Sequence, residues 1–166
     1  GSLIPRLRRL GDCGRRSRMR VIFLGTPEFA LPALRRLHEL DAVRLVVSQP
    51  DRPAGRRGEV RTPPTVTLAR ELSLETFQPI DPNSAESCGR IMASRPDVLI
   101  VVAYGRLLRK TMLDLAPAAV VNLHPSLLPA YRGASPIQSA IYDGQVDTGV
   151  TLMRMDTGID SGPIIA

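Results

Sequence analysis

No apolar run in this chain approaches the roughly 18 residues that a membrane-spanning helix needs. The longest, around residues 98–103, has the length of a buried strand. A transmembrane helix is thereby excluded, and no membrane partner is expected. Cysteine is scarce: Cys13 and Cys88 make neither a disulfide framework nor a metal-ligand spacing, so a reducing compartment fits and no metal site is expected. No histidine lies near Cys88 in sequence, and that thiol reads as a buried apolar group rather than a nucleophile. Lysine is confined to Lys110; the arginine bias is what GC-rich coding produces without any ligand. Internal repeats are absent. So is the G-x-G-x-x-G fingerprint of a dinucleotide site: the first strand-to-helix turn, Phe23-Leu24-Gly25-Thr26-Pro27-Glu28-Phe29, holds a single glycine, and Pro27 removes an amide donor. A nicotinamide or flavin cofactor is disfavoured.

What is present suits one domain with a packed core: 166 residues, 43% of them hydrophobic and 23% charged. The formal charge of +6 is unevenly placed. Residues 1–18 carry Arg6, Arg8, Arg9, Arg15, Arg16 and Arg18 against Asp12 alone, so the basic balance of the whole chain is no argument for nucleic-acid binding by its body. This leader has no sustained apolar period and reads as disordered or non-native. Met19 is a natural start, directly before the first strand; an arginine-rich, acid-poor leader is also the pattern of an organellar transit peptide.

From residue 19 onward strands and helices alternate, which predicts an α/β domain: a Rossmann-like, open, mostly parallel sheet with helices on both faces. Strands are expected at 20–24, 43–47, 75–77, 97–103, 119–124 and 149–155. Helices are expected at 29–40, 65–72, 84–95, 110–115 and 136–142. Thr26 is the expected cap of the first helix, residues 48–64 form a long polar loop, and residues 125–134 form another. The stretch 97–103 is apolar on both faces, as a strand covered by helices on both sides must be. Residues 163–166 begin one more strand; a compact domain of this kind would complete it, so the domain is expected to be incomplete at Ala166.

The chemistry concentrates at Val121-Asn122-Leu123-His124-Pro125-Ser126-Leu127-Leu128-Pro129. Asn122 and His124 stand two apart on a strand and therefore share a face. They lie at its C-terminal end, where open α/β sheets place ligands. An amide and an imidazole aimed together can donate to a developing oxyanion, or they can simply satisfy loop backbone. Farther on, Asp156-Thr157-Gly158-Ile159-Asp160-Ser161-Gly162-Pro163 is a turn between two strands. A carboxylate there can stabilise a protonated His124 and relay protons. Composition alone leaves Asp156 and Asp160 as rivals for that role, or both as turn formers.

Taken together, Asn122-x-His124-Pro125-Ser126-Leu127-Leu128-Pro129, Tyr131-Arg132-Gly133-Ala134-Ser135-Pro136-Ile137-Gln138 and Gly158-Ile159-Asp160-Ser161-Gly162 resemble the hallmark of the formyltransferases that use 10-formyltetrahydrofolate. The resemblance implies Asn122, His124 and Asp160 as the catalytic trio. It also implies Ser126, Leu127, Leu128 and Pro129 as folate-lining residues, with backbone at Val102, Ala103, Tyr104 and Gly105 beside the pterin. The segments 23–30, 49–56 and 132–138 are similar to the branch that formylates methionyl initiator tRNA, although Ser135 stands where that branch more often has alanine. That likeness implies a loop whose Arg52, Arg56, Arg57 and Arg61 contact the tRNA, as guanidiniums on an exposed segment suit phosphates; by composition alone, with Asp51 and Glu59 among them, the loop is a solvated charged surface. The implied activity is formyl transfer from 10-formyltetrahydrofolate to the α-amine of methionyl-tRNA, by a cytoplasmic monomer whose further C-terminal β-barrel domain lies beyond this chain. The alternatives are formyl transfer to glycinamide ribonucleotide or to a sugar nucleotide, formyltetrahydrofolate hydrolysis, or a catalytically silent folate-binding module.

Overall fold

The computed structural model describes residues 19–54 and 59–166. The expectations placed on residues 1–18, on Cys13, and on Arg56 and Arg57 fall outside the described residues.

Valine, isoleucine and leucine dominate the strand stretches, and these β-branched and aliphatic side chains pack well on a pleated surface. Six strands form one sheet in the order β5-β2-β1-β6-β7-β8: β1 is Val21–Gly25, β2 Val43–Val47, β5 Thr76–Phe77, β6 Val98–Val102, β7 Ala119–His124 and β8 Thr151–Arg154. All neighbours are parallel except β7 and β8. The chain builds outward from β1 through β2 to β5, then returns to lay β6 on the other side of β1. The C-terminal ends of β1 and β6 therefore flank the point where the strand order reverses.

Alternation along the strands creates two apolar layers. Ile22, Leu24, Leu99 and Val101 pack with Ile91 of α3 (Ala85–Ala93) and Met112 of α4 (Lys110–Leu113). Phe23, Val46 and Val102 pack with Leu34 of α1 (Leu31–Glu39) and Leu68 and Ala69 of α2 (Pro64–Glu71). Helices thus cover both faces of the sheet. Each fully buried aliphatic side chain contributes about 1.5–3 kcal/mol by leaving water, and β1 is buried along its whole length.

Two local expectations are corrected. Thr26 does not cap the first helix; its hydroxyl donates to the carbonyl of Tyr104 at 3.0 Å. The helix opens instead with a 3-10 turn over Glu28–Ala30 and becomes α-helical at Leu31, because Pro32 has no N–H to give to the preceding turn. The polar segment 48–64 is also more than a loop. It contains an antiparallel pair, β3 (Arg52–Ala54) and β4 (Glu59–Arg61), whose three-residue strands are too short and too charged to show a period. Ser84 caps α3, accepting from the amide of Ser87, and α5 spans Pro136–Tyr142. Residues 163–166 turn back along β8, with Met153 bridged to Ile164 and Ile165 donating to Leu152.

At the opposite end from the switch point, Arg20 and Asp97 tie the starts of β1 and β6. The guanidinium reaches both carboxylate oxygens, at 2.8 and 3.2 Å, and the Arg20 amide adds a third bond of 2.8 Å. These donors hold the Asp97 carboxyl at about 2, against an opposing effect of desolvation. A carboxyl lowered on folding stabilises the fold above its unfolded value and loses that contribution as pH falls through the folded value. Asp97→Asn is therefore expected to unfold more readily than the wild type at neutral pH. The difference should shrink between about pH 4 and pH 2; denaturant midpoints that stay equally separated across that range would contradict the assignment.

Tyr104, just past β6, is only 2% exposed and packs into the layer beneath α3 and α4. Among the described residues its phenolic oxygen has no hydrogen-bond partner, and burial pushes the phenol up to about 12. A buried hydroxyl without a partner costs about 1–3 kcal/mol. Tyr104→Phe is accordingly expected to match or exceed wild-type stability in denaturant unfolding, and a clear loss would show that the hydroxyl is satisfied.

Candidate active site

The site lies at the C-terminal ends of β6 and β7. Parallel pairing of β6 with β7 sets Val101 beside Asn122, and the antiparallel partner β8 sets Thr151 beside His124. Asn122 and His124 point from β7 into one cavity of about 580 Å³, which also receives Asp160. Ala103, Tyr104 and Gly105 form part of its wall. The first and last of these have left-handed backbones, at φ 47° and 76°.

The Asp160 carboxylate gathers the site. One oxygen lies 3.5 Å from His124 Nδ1 and accepts from the Gly133 amide at 2.9 Å. The other accepts from the Asn122 amide at 3.4 Å. The Asp160 side chain is 16% exposed and that of His124 only 4%, so both act in a site from which bulk water is largely excluded. His124 Nε2 lies 2.8 Å from the carbonyl of Tyr131. A carbonyl can only accept, and so can an ionised carboxylate. A ring that donates from both nitrogens answers both, whereas a neutral ring leaves one unanswered. Tyr131 takes φ 57° to aim its carbonyl there, and Asp160 takes φ 48°.

The rivalry between the two aspartates is decided by their partners. Asp156 borders the cavity, but its carboxylate is spent on its own turn, accepting from the Gly158 amide and the Ser161 hydroxyl, both at 2.9 Å. Asp160 alone reaches the imidazole. Gly162 cannot be replaced without disturbing this turn, since a Cβ there would collide with the Arg154 carbonyl.

Other residues named from the sequence are placed differently. Val102 does not border the cavity; it is 1% exposed and packs into the layer under α1 and α2. Ser126, Leu127, Leu128 and Pro129 lie outside the lining as well. The Ser126 hydroxyl is turned back to the Ala130 carbonyl at 2.7 Å, and the Leu128 amide donates to Thr151 Oγ1. Leu127 is exposed. This segment braces the turn after β7 rather than the cavity wall. Arg52 and Arg61 face each other across the β3–β4 pair, exposed, and neither lines the cavity. Three contributors were not named from the sequence: the Tyr131 carbonyl, the Gly133 amide and Arg106 at the cavity's edge. The motif contained Tyr131 and Gly133, but backbone groups leave no signature in residue type. Among the described residues no group of three or more His, Cys, Asp or Glu side chains is placed to hold a metal ion, and no helix is long and apolar enough to cross a membrane.

Comparison with known proteins bears on the family and the fold. The chain is 47% identical over 148 residues to a methionyl-tRNA formyltransferase from Desulfotalea psychrophila, covering 89% of this chain and 46% of the relative. It is 46% identical over 150 residues to the enzyme of the same name from Myxococcus xanthus, covering 90% and 48%. The chain thus spans about half the length of the curated relatives it matches. Among solved structures it is similar to phosphoribosylglycinamide formyltransferase from Bacillus halodurans, with a TM-score of 0.69 and 27% identity, over 89% of this chain and 77% of that one. The Formyl transferase family model matches residues 19–166, the whole of the region that carries the sheet and the site, and the chain belongs to that family.

Proposed function

We propose that this chain is the folate-binding and catalytic part of an enzyme that transfers a formyl group from 10-formyltetrahydrofolate to the α-amine of methionyl initiator tRNA. The observation that carries the reading is the meeting of an amide, an imidazole and a carboxylate at one cavity. The cavity suits the cosubstrate. Its volume of about 580 Å³ lies within the range of small-molecule sites, roughly 300–1,000 Å³, and its wall joins apolar side chains to the backbone of Ala103, Tyr104 and Gly105. When bound, the folate supplies a formyl carbon that exchanges its bond to a folate nitrogen for one to the acceptor amine, with one proton passing from amine to that nitrogen.

The chain's own residues serve that exchange in three ways. Asn122 turns its amide to the cavity and can donate to the oxygen of the carbonyl under attack, where negative charge builds up. His124 is the second donor. In the described conformation its Nε2 faces the Tyr131 carbonyl, so donation to the reacting oxygen from that nitrogen requires the 131–133 segment to yield the contact. Asp160 holds the imidazole and the Asn122 amide in place and offers the nearest base through which a proton can pass. Arg52 and Arg61, facing each other on the hairpin, supply cations for the tRNA backbone. Further chain beyond this half-length, a β-barrel in our reading, shares in holding the tRNA. The setting in this reading is cytoplasmic.

The tRNA acceptor is favoured over smaller ones by the 46–47% identity to methionyl-tRNA enzymes and by the arginine pair on the hairpin. In the full-length protein, His124→Ala is expected to lower kcat by on the order of 100- to 1,000-fold. Formyl transfer should be detected with methionyl initiator tRNA, and not with glycinamide ribonucleotide or an amino-sugar nucleotide. Near-normal turnover by the variant would refute the role of His124, and preference for either small acceptor would refute the tRNA assignment.

A further inference from the structure

A chain of polar contacts joins the hairpin to the cavity wall, and the formyl-transfer chemistry does not use it. Gln49, half-buried two residues beyond β2, donates from Nε2 to the Tyr104 carbonyl at 2.7 Å, beside the Thr26 hydroxyl on the same oxygen. The Gln49 Oε1 accepts from Arg52 Nη2 at 2.5 Å. Both legs of the hairpin are tied to the same place. Gln78 Nε2 bridges the Gln49 carbonyl at 3.0 Å and Asp51 Oδ1 at 2.6 Å, and Asp51 Oδ2 accepts from the Thr62 hydroxyl just past β4. Gln49 does not border the cavity, whereas Tyr104 and Gly105 do. The contact is close enough to restrict what can stand at 105: a Cβ there would run into Gln49 Nε2, at a backbone φ of 76°.

The side-chain amide is a rigid plane with an acceptor at one end and a donor at the other. A displacement of Arg52 acts on Oε1 and turns Nε2 with it, so the Tyr104 carbonyl answers to the position of the guanidinium. Arg52 also has a reason to respond to an anion. It stands opposite Arg61 in the hairpin register, and like charges directly opposite are unfavourable until a counter-charge comes between them. We infer that Gln49 is a positioning residue that couples phosphate binding at Arg52 to the shape of the cavity wall at Tyr104 and Gly105. The inference rests on the reading that the hairpin meets tRNA and the cavity meets folate.

The test uses the full-length protein and isothermal titration calorimetry. Tetrahydrofolate affinity is measured with and without saturating uncharged initiator tRNA, in the wild type and in Gln49→Glu. That variant keeps an acceptor for Arg52 but sets an oxygen against the Tyr104 carbonyl. In the wild type, tRNA is expected to change the tetrahydrofolate Kd by about fivefold or more, and in Gln49→Glu the ratio should fall to about one while both ligands still bind. A Gln49 that only braces the loop would weaken affinities and leave the ratio at its wild-type value, and that result overturns the inference. So does a wild-type ratio of one. If Gln49→Glu does not fold, Arg52→Gln cuts the same link from the hairpin side, leaves the Tyr104 bond in place, and is judged by the same ratio. A wild-type protein that binds no tetrahydrofolate or no initiator tRNA overturns the underlying functional reading as well, and is recognised without any variant.

Discussion

Asp160 brings one carboxylate to a place where donors from two other segments converge: the Asn122 amide and the His124 ring from β7, and the Gly133 amide from the loop that follows. A mostly buried carboxylate is costly unless its oxygens are answered, and here both are. The arrangement therefore holds three parts of the chain to one another as much as it prepares chemistry. β8 runs antiparallel to β7, from Thr151 beside His124 to Arg154 beside Val121, and the 156–163 turn that follows reaches back to set Asp160 against Asn122 and His124. Within that turn Asp156 satisfies the Gly158 amide and the Ser161 hydroxyl, which frees Asp160 to point inward.

The sheet order determines where this can happen. Strands on either side of β1 are filled from opposite directions, so the helices that follow β1 and β6 leave on opposite faces and the space above the strand ends stays open. Two contacts define the ends of that frame. Arg20 and Asp97 clamp the starts of β1 and β6. At the other end Gly25 lets β1 pass so close to β6 that an added Cβ would lie 3.1 Å from the Val102 carbonyl. A side chain there would also crowd the Phe23 ring and the Ala30 methyl, which would have to shift.

The site combines parts of different rigidity. Asn122 and His124 are carried on a strand paired on both sides, whereas their partners, the Tyr131 carbonyl and Asp160, come from connecting segments with left-handed backbones at both residues. Rigid donors faced by loop-borne acceptors suit the reaction proposed above, in which His124 would exchange its contact with the Tyr131 carbonyl for one to the reacting oxygen. Among the described residues, Gln49 and the Tyr104 carbonyl link the hairpin to the cavity wall.

Much of this was legible in the residues alone. Alternating apolar strand and helix stretches announced a parallel α/β sheet, because a strand covered on both faces has no room for polar side chains. The two-residue spacing of Asn122 and His124 placed them on one face at a strand end, and the segments 121–129, 131–138 and 158–162 pointed to a family. Local pattern failed where partners come from afar. Thr26 looked like a helix cap but bonds to Tyr104, and the short charged strands at 52–54 and 59–61 showed no period of their own. Which aspartate meets the imidazole, whether Ser126 faces the cavity or its own turn, and that backbone groups of Tyr131 and Gly133 complete the site were decided only by tertiary structure. A strand's side-chain direction follows from its own period, whereas a loop's contacts are set by the distant elements that hold its ends.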